Sequence, residues 1–188
     1  MPNENTNHDI VHKKYDKFLE LQKTGITVGC TRREYQLLYD YALNSKGNVL
    51  ELGGGDGAST EIIALALKGS DRTITQVDLK GDDSLLLVTD KSNVIKVERR
   101  TTDFFKLHDK NVKYSMIFID ADHTHAGALH DIRNSLDILE SGGVLLAHDC
   151  CVPQTTHIAD ICRDQAEKYG KSFKLLTEDI GFGLGLIY

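Results

Sequence analysis

Carboxylates and glycines crowd one short stretch of the chain. Residues 48–60 read Asn-Val-Leu-Glu-Leu-Gly-Gly-Gly-Asp-Gly-Ala-Ser-Thr. The apolar run Val49, Leu50, Leu52 predicts a strand and the pattern after Gly57 a helix, which leaves the glycines as the turn between them. Gly53, Gly55 and Gly57 let the backbone take positive φ and let a ligand approach closely. The helix beginning near Ala58 aims its free N–H groups back at that turn. Two ligand classes compete for it. Gly53, Gly55 and Ala58 satisfy the dinucleotide fingerprint G-x-G-x-x-G/A, and Asp78 stands 20 residues past Ala58, where a ribose-binding carboxylate belongs. Glu51 and Asp56 argue the other way. A carboxylate against a pyrophosphate is a like-charge contact, whereas a ligand carrying a sulfonium and an ammonium is attracted to it.

A second set of chemically capable residues lies downstream. Asp120 ends the apolar run Met116-Ile117-Phe118-Ile119, and His148-Asp149 ends the run Val144 to Ala147. On neighbouring parallel strands these three side chains project from the carboxyl edge of the sheet, the edge at which doubly wound proteins bind ligands. Oxygen donors suit a hard divalent cation. His148 either lowers the charge of the set and shifts its preference from magnesium toward manganese, iron or zinc, or marks a degenerate site that has lost its metal. His123 follows Asp120 by three residues, and it is expected to act as a general base because its pKa lies near neutrality. The N-terminus of the next helix is expected to keep it neutral. His125 is a weaker candidate for the same role, and Asp122 is either a supporting group or a helix cap.

The elements that must position these residues alternate. Two amphipathic helices come first: Ile10 to Gln22, and one after the capping box Thr31/Glu34 with Tyr35, Leu38, Tyr39 and Ala42 on its apolar face. Strands are expected at Val49 to Leu52, Thr73 to Leu79, Asn93 to Arg99, Ser115 to Ala121 and Val144 to Ala147. Helices are expected at Ala58 to Lys68, Asp82 to Asp90, Asp103 to Asp109, Thr124 to Glu140 (ended by Gly142-Gly143) and Thr155 to Tyr169. Phe173 to Thr177 and Phe182 to Tyr188 are too close in sequence for a helical crossover and must form an antiparallel hairpin over a turn at Asp179-Ile180-Gly181. The fold class is therefore α/β, a doubly wound, seven-stranded, mostly parallel sheet with a reversed C-terminal strand. Residues 1–188 are read as one domain: a disordered tail over 1–8, a helical cap over 9–45 and a Rossmann-like core over 46–188.

Bulk properties bound the partners. The chain has 188 residues, 40% of them hydrophobic and 27% charged, which suits one water-soluble domain. A net charge of −6 argues against a polyanionic nucleic acid as partner. No apolar run reaches membrane-spanning length, and the polar stretch Met1 to His8 is not expected to act as a secretory signal. Cys30, Cys150, Cys151 and Cys162 form no C-x-x-C pair, and they are read as reduced thiols of a cytoplasmic protein.

The order of elements, together with Glu51-Leu52-Gly53-Gly54-Gly55-Asp56-Gly57, Asp78, Thr102-Asp103-Phe104, Phe118-Ile119-Asp120-Ala121-Asp122-His123, Gly142-Gly143 and Leu146-Ala147-His148-Asp149, resembles class I S-adenosylmethionine (SAM) methyltransferases. The form it is most similar to is the small metal-dependent O-methyltransferases, the catechol and caffeoyl-CoA type and their antibiotic- and sugar-modifying relatives. The likeness runs from about Thr24 to the end of the chain. It implies SAM held by Glu51, Gly53, Gly55, Gly57, Asp78 and Asp120, with Asp103 or Phe104 beside adenine. It implies a divalent metal at Asp120, His148 and Asp149, where the relatives carry Asp-Asn or Glu-Asp at the position of the His-Asp pair. The implied reaction is methyl transfer to a hydroxyl of a small molecule, with Asp120 and His123 at the reacting centre. A homodimer is compatible with the pattern. A nicotinamide-dinucleotide enzyme and a SAM-binding domain without activity are the alternative readings.

Overall fold

The computed structural model describes residues 4–177 and 182–188, with residues 4–7 described in backbone only. The expected turn at Asp179-Ile180-Gly181 lies outside the described residues. A seven-stranded sheet runs in the order β3-β2-β1-β4-β5-β7-β6. Its strands are β1 (Val49–Leu52), β2 (Ile74–Asp78), β3 (Val94–Glu98), β4 (Tyr114–Ile119), β5 (Leu139–Ala147), β6 (Phe173–Thr177) and β7 (Leu184–Ile187). β1 to β5 pair in parallel, and β7 enters antiparallel between β5 and β6. The doubly wound architecture and the reversed hairpin are both present.

Each strand alternates its side chains between two apolar layers. Leu50, Leu52, Ile117, Ile119, Leu145 and Ala147 face one layer, covered by α4 (Thr101–Leu107), α5 (His125–Asp137) and α6 (His157–Lys168). Val49, Met116, Phe118 and Leu146 face the other, covered by α1 (Glu4–Gln22), α2 (Arg32–Asn44) and α3 (Ala58–Leu67). The two N-terminal helices therefore form part of a core layer, with Val11, Phe18, Tyr35 and Leu38 buried in it.

Three expectations change. α1 begins at Glu4, so the backbone of residues 4–8 is helical rather than part of a tail. The expected helix over Asp82 to Asp90 is a 3-10 turn at Gly81–Leu85. α5 ends at Asp137, and Gly142-Gly143 lies inside β5 instead of terminating the helix. The spacing of Leu136 and Leu139 fits a helix face, but Leu139 buries equally well as the first residue of β5, paired with Tyr114. The pairing shifts register between Tyr114 and Met116, and Gly142 takes φ +75° beside that irregularity.

Candidate active site at the carboxyl edge of the sheet

The glycine turn is shaped by what lies around it. Leu52 pairs with Ile119, so Gly53 emerges beside Asp120, and a Cβ on Gly53 would stand 2.0 Å from the Asp120 carbonyl oxygen. Gly57, at φ +91°, is the residue that opens α3. Asp78 closes the turn from β2. Its Oδ2 accepts hydrogen bonds from the amides of Gly54 (2.8 Å) and Gly55 (3.1 Å), and its Oδ1 accepts one from the Lys80 amide (2.8 Å). Asp56 turns away from the cleft floor. It accepts from the Thr27 amide at 2.6 Å and pairs with Lys80 at 2.8 Å, pinning the loop before α2 to the glycine turn.

A cleft of about 360 Å³ opens over β2, β1 and β4. Gly53, Gly55, Asp78 and Asp120 line it, as the sequence led one to expect. Glu51, Gly57, Asp103 and Phe104 do not. Glu51 is fully buried beneath the turn, where Thr60 Oγ1 donates to its Oε2 at 2.5 Å and its Oε1 has no hydrogen-bond partner among the described residues. Burial pushes its carboxyl up to about 7 despite the Ser59 and Thr60 hydroxyls. Asp103 is exposed on α4 and pairs with Lys106. Phe104 is buried against Phe105 and His108. The reason is one of register: α4 begins at Thr101, two residues earlier than expected, so its first turn offers Thr101 and Thr102 to the cleft and sends Phe104 into the core. Leu79, 61% exposed at the rim, and Arg99 and Arg100 complete the wall. An exposed leucine directly after the acidic end of β2 is the sequence signal that could have pointed to this rim.

Beyond the cleft, Asp120 and His148 lie side by side. Ile119 and Ala147 are register partners, and both face the α4–α6 layer. The next residue on each strand turns to the opposite side, toward α2. His148 is 3% exposed, with Nδ1 3.7 Å from Asp120 Oδ1 and 3.5 Å from Asp149 Oδ1, and Nε2 3.6 Å from Glu34 Oε2. Glu34 is buried. Its Oε1 accepts from Thr177 Oγ1 and the Gly183 amide, and its Oε2 from Thr31. The sequence marked Glu34 as half of a capping box, which it is. Nothing in a one-dimensional pattern assigned it to His148.

His123 Nε2 sits between the two strand ends, 3.2 Å from Asp120 Oδ1 and 3.0 Å from Asp149 Oδ2. These hydrogen bonds raise its pKa to about 10, against some opposing desolvation. The expectation of a neutral base is thus overturned: two carboxylates outweigh the start of α5, and at neutral pH His123 is an imidazolium. Burial pushes the Asp120 and Asp149 carboxyls up, but hydrogen bonds from His123 and His148 win, and both end below the usual carboxylate range. Asp149 holds the left-handed region at φ +59°, a conformation that non-glycine residues rarely adopt and that functional sites often store. His157 Nε2 lies 2.9 Å from the His123 carbonyl oxygen and steadies this loop, a contact the sequence did not suggest. His125 packs near His157 and takes no part in the site.

The expected metal set of Asp120, His148 and Asp149 does not converge as one group. Among the described residues, two sets bring ligand atoms within 4.8 Å of one another: Asp120, His123 and Asp149 on the open side, and Cys30, Asp120 and His148 on the buried side. A hard, magnesium-like ion fits poorly, because His123 already fills the gap between the two carboxylates.

A seven-stranded sheet of this order, with an acid at the end of β2 capping a glycine turn, defines the Rossmann-like methyltransferase class. Residues 50–150 match the family model described as a methyltransferase domain, more than half of the chain, and the chain belongs to that family. Its fold is similar to an O-methyltransferase from Bacillus cereus solved in complex with SAH (TM-score 0.71, 14% identity, covering 100% of this chain and 92% of that one). It is also similar to the O-methyltransferase TomG from Streptomyces achromogenes, involved in tomaymycin synthesis and solved with SAM (TM-score 0.67, 16% identity, 94% and 87% covered). A third likeness is to an SAH-bound methyltransferase from Podospora anserina (TM-score 0.67, 16% identity, 100% and 88% covered). No curated protein matches the sequence.

Proposed function

We propose that this chain transfers the methyl group of SAM to a hydroxyl of a small molecule. The observation that carries the reading is Asp78. Its carboxylate consumes the Gly54 and Gly55 amides that a pyrophosphate would need, which disfavours a dinucleotide. It also stands in the cleft as an acceptor for a ribose diol. The adenosyl group lies against Leu79, Thr101 and Thr102. The sulfonium faces the Asp120 side, where carboxylate charge attracts it. The acceptor enters from the Asp120–Asp149 side.

In this reading His123 is a positioning cation rather than a base. Its imidazolium favours the ionised form of the acceptor oxygen, whose proton leaves to water. The oxygen then attacks the methyl carbon, the C–S bond breaks, and its electron pair stays on sulfur, giving SAH and a methyl ether. Alignment of oxygen, carbon and sulfur supplies much of the acceleration. Calorimetric titration with SAM and, separately, NAD tests the reading. SAM binding with no NAD binding is expected, and the reverse sinks it. Binding of SAM without transfer to any member of a hydroxyl-acceptor panel would favour a non-catalytic SAM domain.

A further inference from the structure

We propose that Cys30, Asp120 and His148 form a mononuclear site for a divalent transition metal, zinc by preference, on the buried side of the acceptor region. Ligand atoms of the three all lie within 4.8 Å of one another. They come from separate parts of the chain: the loop before α2, the end of β4 and the end of β5. Cys30 and His148 are buried. Among the described residues the His148 Nε2 has no hydrogen-bond partner, and an unsatisfied buried nitrogen is destabilising unless something compensates.

The donor types select the ion. A thiolate, an imidazole and a carboxylate are the soft and borderline ligands of zinc, whereas magnesium and calcium take oxygens. Catalytic zinc keeps three protein ligands and one open position. Cys30 and Asp120 also border a cavity of about 80 Å³ shared with Tyr35, Gly54 and Gly55, which leaves room for a water or an acceptor oxygen. The outer support is in place as well. Nε2 lies 3.6 Å from Glu34 Oε2, and Nδ1 lies 3.5 Å from Asp149 Oδ1. Whichever nitrogen binds metal, the other faces a carboxylate 3.5–3.6 Å away, close to the arrangement that orients histidine ligands. The alternative group around His123 is weaker, since one nitrogen already serves both of its carboxylates.

The site adds to the proposed transfer reaction without depending on it, so it is measured with neither SAM nor acceptor present. The chelator-treated full chain is titrated with cobalt(II). A thiolate-to-cobalt charge-transfer band is expected, saturating at one equivalent and abolished by one equivalent of zinc. Cys30→Ser removes the band, Cys151→Ser keeps it, and His148→Asn weakens zinc binding at least tenfold. X-ray absorption of the zinc-loaded wild type, which needs no variant to fold, is expected to show one sulfur among nitrogen and oxygen neighbours. Absence of a thiolate band or of a sulfur shell, or a band that survives Cys30→Ser, overturns the site and leaves methyl transfer standing. Failure to bind SAM would leave the cobalt spectrum unchanged.

Discussion

Glu34 Oε2 lies 3.6 Å from His148 Nε2, both residues are almost wholly buried, and the two come from opposite ends of the chain. The same carboxylate caps α2 through Thr31 and receives hydrogen bonds from Thr177 and Gly183 of the C-terminal hairpin. One side chain thus ties the N-terminal helices, the hairpin and the Asp120–Asp149 side of the site together. Burial raises the Glu34 carboxyl, but the facing His148 imidazole and hydrogen bonds from Thr31 overcome this and hold it below its ordinary value.

Glu34→Ala leaves His148 without its facing carboxylate and the two hairpin donors without their acceptor. Breaking a buried charged pair from one side is typically destabilising by about 3–5 kcal/mol. A lower urea midpoint with little change in m is expected, and an unaltered midpoint would show that Glu34 holds nothing together.

His123 should stay protonated far above the usual histidine range. Its pKa is raised from 6.5 to about 10 by Asp120 and Asp149, so its contribution to stability is fully present below about 6.5 and is lost as pH rises through about 10. In a histidine NMR titration, the His123 ring resonance is expected to stay at its protonated shift through pH 8 and to titrate earlier in Asp149→Asn. Titration near 6.5 in the wild type would remove the cation from the mechanism.

Asp78→Ala should weaken SAM binding by about tenfold to a hundredfold, the range for hydrogen bonds to a charged group. Asp103→Ala should leave it unchanged, because Asp103 lies on the exposed side of α4. Calorimetry on both variants separates the two residues, and equal losses would contradict the cleft described above.

Glu51 has the opposite pH signature from a surface acid. Its folded carboxyl titrates at about 7 against an ordinary 4.5, so stability relative to the neutral form is retained below 4.5 and lost as pH rises through about 7. At 1.36 kcal/mol per unit the full difference is roughly 3 kcal/mol. Glu51→Gln should therefore gain stability over the wild type between pH 5 and pH 8. Parallel denaturation curves for the two proteins across that interval would refute the assignment.

The sequence by itself determined the alternation of elements, the reversed hairpin, the glycine turn, Asp78 as its acidic neighbour and the strand ends that carry Asp120, His148 and Asp149. These are local signals, since period-2 and period-3.6 patterns and glycine placement report on a few residues at a time. They were least reliable at boundaries. A two-residue shift at the start of α4 exchanged Asp103 and Phe104 for Thr101 and Thr102 at the cleft, and Leu139 passed from an expected helix into β5.

What only the tertiary structure decided is which groups share a space. Glu51 belongs to the strand end next to the turn, yet strand alternation sends it under the turn to Thr60. His123 follows Asp120 closely, yet its charge is set by Asp120 together with Asp149 across the strand gap. Cys30 and Glu34 meet His148 because α2 packs on the face to which Asp120 and His148 both turn. Electrostatic character depends on distances of 3–4 Å between residues remote in the chain, and those distances exist only once the two apolar layers have closed on the sheet.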